Sequence, residues 1–93
     1  MYYQNQNQNQ ELTAGDRTRM LTAAITHLLG DRTDYDQDDP LSILRAVCLR
    51  AGLMRFSPVV LTGLACTEIM EADVADLYAA CSEAAPQLRE ARR

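Results

Sequence analysis

The chain has no lysine and no tryptophan, only one histidine and one phenylalanine, and no cysteines at CxxC spacing. Each absence narrows the possible functions. Without lysine, all nine basic residues are arginine, and thirteen acidic residues leave a net charge of −4. That balance disfavours direct nucleic-acid binding and an anionic membrane surface, and favours a partner with a basic face. With four Tyr and one Phe as its aromatics, a deep substrate pocket is hard to build. The sequence has no glycine-rich phosphate loop, GxSxG elbow or HExxH pair, so nothing marks an enzyme or implies a cofactor. No apolar run approaches the roughly 20 residues of a membrane span. No basic segment followed by an apolar stretch opens the sequence, so the expectation is a cytoplasmic protein with reduced thiols. The missing lysine and abundant alanine and leucine suggest a bacterial or phage coding sequence.

What remains favours helix. Alanine and leucine dominate the apolar residues, and both prefer helix to strand. No segment alternates with strand period. The expected fold is all-α: a small single-domain bundle of about four helices over residues 11–93, behind a flexible N-terminal tail. The tail, residues 1–10, is the low-complexity Gln/Asn stretch MYYQNQNQNQ. Beyond Tyr2 and Tyr3 it has little to bury against the entropy cost of ordering.

A first helix is expected over 13–29. Thr13 and Asp16 form a capping box, and Leu21, Ala24, Ile25, Leu28 and Leu29 lie on one stripe. Gly30 then supplies a left-handed stop. The segment DPLSILRAVCLRAGL, 39–53, reads as a second helix capped by Asp39, with Pro40 at its first position. Leu41, Leu44, Val47, Cys48 and Ala51 share a face, and Leu49 lies nearly opposite. Gly52 ends the helix, with Leu53 folded back on the last turn. Ser57 and Pro58 open a third helix, with a break near Thr67 before a fourth. Met70, Val74, Leu77, Cys81 and Ala84 form the fourth helix's stripe, and Pro86 starts a short final turn.

The third helix is apolar on two sides. At about 100° per residue, Val60, Leu61 and Leu64 point one way and Val59, Cys66 and Met70 roughly the other. Such a helix is buried on both sides. In a chain this short the first expectation is a central helix wrapped by the others. The alternative leaves one side, with Leu49, for a partner or a second copy.

The charged residues offer three candidate chemistries. DRTDYDQDDP, residues 31–40, carries five aspartates. As a calcium loop starting at Asp34, it lacks the required glycine at position 6 and has Arg45 where the bidentate glutamate belongs. It therefore reads as a solvated linker, with Asp34, Asp36 and Asp38 free to dock a partner. His27 with Cys48, Cys66 and Cys81 would supply Cys₃His zinc ligands. Those ligands usually come in close pairs, and here all four stand alone, so no metal is expected. Residues 41–67 carry Arg45, Arg50 and Arg55 with no acid and resemble a helix-turn-helix with Gly52 at the turn. That alignment puts Pro58 inside the recognition helix, which argues against it.

The reading that follows is a small acidic, non-enzymatic protein-interaction module, a regulator or inhibitor that covers a partner protein's basic surface. A homodimer is a second form of the same idea. The candidate partner-binding residues are Asp34, Asp36, Asp38, Leu49, Glu68 and Glu71. The alternative is a DNA-binding transcriptional regulator using Arg45, Arg50 and Arg55.

Overall fold

The computed structural model describes residues 13–91. The expected tail over 1–10 lies outside the described residues. Among the described residues four helices form the fold: α1 (Ala14–Leu29), α2 (Pro40–Met54), α3 (Val60–Glu71) and α4 (Val74–Ala91). No strand occurs among the described residues. The fold is thus a small all-α four-helix bundle.

Helix starts follow local capping chemistry at α1 and α2. The Thr13 hydroxyl accepts from the Asp16 amide at 3.0 Å, and the Asp16 carboxylate accepts from the Thr13 amide at 3.4 Å. This reciprocal pair satisfies two donors that no helical carbonyl can reach. At α2 the Asp39 carboxylate accepts from the Leu41 amide at 3.1 Å, with Pro40 at the first position. α3 begins later than its Ser57–Pro58 signal. The Ser57 hydroxyl instead accepts from the Val59 amide at 3.1 Å, and the helix starts at Val60.

Helix ends depart further from expectation. Neither Gly30 nor Gly52 adopts a left-handed conformation. Gly30 is right-handed at φ −58°. Gly52 lies inside α2, which continues to Met54 and leaves Leu53 exposed instead of folded back. A helical glycine costs about 1 kcal/mol relative to alanine, less than burying Ala51 and much of Met54 gains. The predicted break at Thr67 is displaced to Ala72 and Asp73, where Ala72 is extended. Thr67 sits in mid-helix and its hydroxyl donates to the Gly63 carbonyl at 3.0 Å, a local bond that keeps it from capping. Pro86 starts nothing; it lies inside α4. Ala84, Ala85 and Leu88 are buried on either side of it and hold the helix through that point.

The core is a seam between α1 and α4, the pair in most extensive contact, with α3 and α2 packed beside it. Leu21, Ile25, Leu28 and Leu29 meet Leu77, Ala80, Cys81, Ala84 and Leu88 in one cluster. Removing a side chain such as Ile25 or Leu88 from water contributes about 1.5–3 kcal/mol. α2 turns Ile43, Val47 and Ala51 inward, while Leu41 and Cys48 are exposed. The buried face is rotated by about 60° from the expected one. Met70 and Val74, placed on the fourth helix's stripe by periodicity, are exposed as well. No described helix is long and apolar enough to cross a membrane.

Candidate functional site

α3 is not the wrapped central helix that its composition suggested; α1, which packs most extensively against the other three, holds that place. α3 buries Thr62, Ala65, Cys66 and Ile69. Its other side is left open, with Val60, Leu61 and Leu64 exposed at 72%, 67% and 57%. No charged residue appears in α3 before Glu68, so this open side is apolar for two turns. The chain leading into it adds Leu53, Val59 and Phe56, the last 85% exposed. Soluble monomers rarely leave so many large apolar side chains together in water without a use for them.

The open side of α3 borders a shallow cleft against α1. Met20, Ala23, Ala24 and His27 form one wall, and Leu61, Leu64, Ala65 and Glu68 the other, around about 300 Å³. His27 closes one end, where its Nε2 lies 3.0 Å from the Thr62 hydroxyl, tying α1 to α3. At the other end Met20 and Glu68 are shared with a second cleft of about 330 Å³, lined by Arg17, Glu71, Asp73 and Asp76. Arg17 is paired with Asp76 at 3.5 Å across α1 and α4. Glu68, Glu71 and Asp73 make no ion pair among the described residues. The corner where α3 meets α4 is therefore acidic and directly continuous with the apolar cleft.

The predicted site residues do not form one surface. Glu68 and Glu71 belong to this corner, next to Arg17 and Met20 of α1. Asp34, Asp36 and Asp38 follow the opposite end of α1, roughly 20 Å along its axis. That loop is largely satisfied internally. Arg32 holds Asp34 at 2.6 Å and its hydrogen bond keeps that carboxyl below the usual range. Asp36 accepts from the Asp38 amide at 3.0 Å, and Asp38 pairs with Arg89 of α4 at 2.9 Å. Leu49 is 66% exposed as expected and lies with Leu53, Arg50 and Arg32 around a small cleft beside the end of α1.

The three arginines of residues 41–67 are also dispersed. Arg45 and Arg50 are separated by about 140° around α2. Arg45 is exposed, whereas Arg50 turns inward far enough to bury its Nε, which has no hydrogen-bond partner. Arg55 lies in the turn after α2 with its guanidinium 4.9 Å from the Phe56 ring centroid. Gly52, the proposed turn glycine, is helical, and the connection to α3 runs through Arg55 to Val59.

Two of the three thiols are placed for packing. Cys66 and Cys81 are buried and Cys48 is exposed, all three free. Desolvation raises all three thiols, Cys81 to about 12. Such thiols are poor nucleophiles at neutral pH. Among the described residues no group of three or more His, Cys, Asp or Glu is placed to hold a metal ion.

Sequence reasoning identified the open side of α3, Val60, Leu61 and Leu64, but of its opposite side only Cys66 is buried; Val59 and Met70 are exposed, and Thr62, Ala65 and Ile69 pack inward instead. It missed the α1 wall, Met20 and Ala23, because the cleft depends on how α1 and α3 sit together. No protein-family model, curated protein or solved structure matches the chain.

Proposed function

We propose that this protein is a small non-enzymatic interaction module, a regulator or inhibitor that works by covering a surface of another protein molecule. The observation that carries this reading is the open side of α3: Val60, Leu61 and Leu64 exposed beside an apolar cleft and next to Glu68, Glu71 and Asp73, which make no ion pair among the described residues. This surface fits a partner that offers apolar side chains with a basic group at one edge. Apolar contact would supply affinity, and the acidic corner would supply orientation and steering. Two findings support a binding role over catalysis. The clefts are shallow and open to solvent, Cys66 and Cys81 are buried in packing, and His27 is held by the Thr62 hydroxyl. The three free thiols fit a reducing cytoplasm.

The test uses the full chain as bait in extracts of cells that express it. A captured protein should be lost with Leu61→Asp and retained less well as salt rises. Equal capture by the parent chain and the Leu61→Asp variant, with both folded, would remove the α3 surface from consideration.

A further inference from the structure

The charges at the two ends of α3 differ in sign, and like Arg45, Arg50, Asp31, Asp36, Asp39, Glu83 and Glu90 they make no ion pair among the described residues. Four arginines are each paired within the fold to an aspartate: Arg17 with Asp76, Arg19 with Asp16, Arg32 with Asp34 and Arg89 with Asp38. Arg55 has no such partner among the described residues, and neither have Glu68, Glu71 and Asp73. Arg55 lies in the turn that leads into α3, so it marks the helix's N-terminal end. The three acids mark its C-terminal end. Between them the exposed side carries Val60, Leu61, Leu64 and Thr67, with no charge. The surface is thus apolar in the middle, basic at one end and acidic at the other.

A pattern of that kind complements itself when reversed. We propose that α3 docks against α3 of a second copy of this chain, antiparallel, about a two-fold axis near Leu64. This rests on reading α3 as an interaction surface and names its occupant. A two-fold contact uses the same patch on both molecules, so each contact occurs twice. With Leu64 on the axis, Leu61 of one copy lies at the level of Thr67 of the other. Val60 lies at the level of Glu68, and the turn carrying Arg55 lies towards the end of the partner helix that carries Glu71 and Asp73. Arg55, Glu71 and Asp73, which make no ion pair among the described residues, find partners across the contact, at both ends of the helix pair. The two helix dipoles also run in opposite directions. Phe56, exposed beside Arg55, supplies the apolar group with a basic edge that the acidic corner fits. α3 is about 18 Å long, so the contact is small, in the class of weak, reversible interfaces.

The experiment is sedimentation equilibrium of the full chain over roughly a hundredfold concentration range. The parent chain should move from 10.4 kDa towards twice that mass. Leu64→Asp should remain monomeric at every concentration while keeping its far-UV spectrum and melting point. Arg55→Glu and Glu71→Arg should each weaken the dimer by about tenfold. The double variant carrying both changes should recover most of that loss, because the reversed charges meet again across the axis. A parent chain that stays at 10.4 kDa throughout overturns the proposal. So does a double variant no better than the single ones, which removes the antiparallel register even if a dimer forms. Should Leu64→Asp fail to fold, the charge swap alone decides. A monomeric parent chain that captures another protein through Leu61 would leave the interaction reading standing and remove only the second copy.

Discussion

Replacing Pro86 by alanine should stabilise the fold, and the size of the gain can be worked out from α4. Pro86 is the thirteenth of the eighteen residues in that helix and is exposed. It has no amide hydrogen to offer the carbonyl of Ser82, and its ring crowds that turn. In a helix interior proline is about 3 kcal/mol less favourable than alanine. Removing it also frees the unfolded chain, which returns about 0.4–1 kcal/mol to the unfolded state. The net expectation is a gain of about 2 kcal/mol. In a domain of this size 1 kcal/mol moves the melting point by about 4–8 °C, so Pro86→Ala should raise it by about 8–16 °C. Pro86→Gly should recover less, about 0.5–1 kcal/mol, because glycine restores the donor but adds its own entropy cost. Thermal unfolding followed by far-UV circular dichroism, with reversibility checked, gives the values. An alanine variant that melts at or below the parent temperature would refute the reasoning. It would mean that burial of Leu88, two residues on, depends on the backbone shape proline imposes.

Other expectations follow from the core, the thiols and the α1 cap. Ile25 is fully buried between α1 and its neighbours, and Ile25→Ala should cost about 2–5 kcal/mol, read as a lower urea midpoint; an unchanged midpoint would place Ile25 outside the core. Cys81, its pKa pushed up to about 12 by burial, holds only about one thiolate in ten thousand at pH 8. A maleimide reagent should therefore modify exposed Cys48 first, and Cys81 should react only on unfolding; equal rates in the folded protein would contradict the burial. The Thr13 hydroxyl and amide hold the Asp16 carboxyl below its ordinary 3.8. Because the folded value is depressed, its contribution is complete above 3.8 and fades as pH falls through the folded value. Acid titration of the melting point should thus be flatter below pH 4 for Thr13→Ala than for the parent chain, and identical slopes would show that the cap is not coupled to stability.

The parts of the fold carried by local chemistry could be read in the sequence. Thr13 with Asp16, and Asp39 with Pro40, announce two helix starts through side-chain groups that bond amides two or three residues away. The stripe of α1 was equally clear, because its apolar positions allow only one inward face. α2 was ambiguous: Leu41 and Ile43 both fit a helical stripe, and only packing against α3 and α4 selects Ile43. Glycines misled for the same reason, since burial of Ala51 carries the helix past Gly52. Proline misled at Pro86, where tertiary contacts on both sides outweigh a local penalty. At the candidate site, Glu68 and Glu71 were singled out by charge, and their apolar neighbours Leu61 and Leu64 by periodicity. Their meeting with Met20 of α1 was not legible, because more than forty positions of chain separate them. The pairing of Asp38 with Arg89 was hidden in the same way, with fifty-one positions between partners.

The seam between α1 and α4 has a consequence for biosynthesis. α1 has its main partner, α4, about sixty residues downstream. At about 5–20 residues per second, Leu21, Ile25 and Leu28 wait roughly 3–12 s before Leu77 to Leu88 exist to receive them. Through that interval the nascent chain presents a sticky half-bundle to chaperones and to neighbouring polysomes, and the native topology of these four helices can close only once α4 has been made.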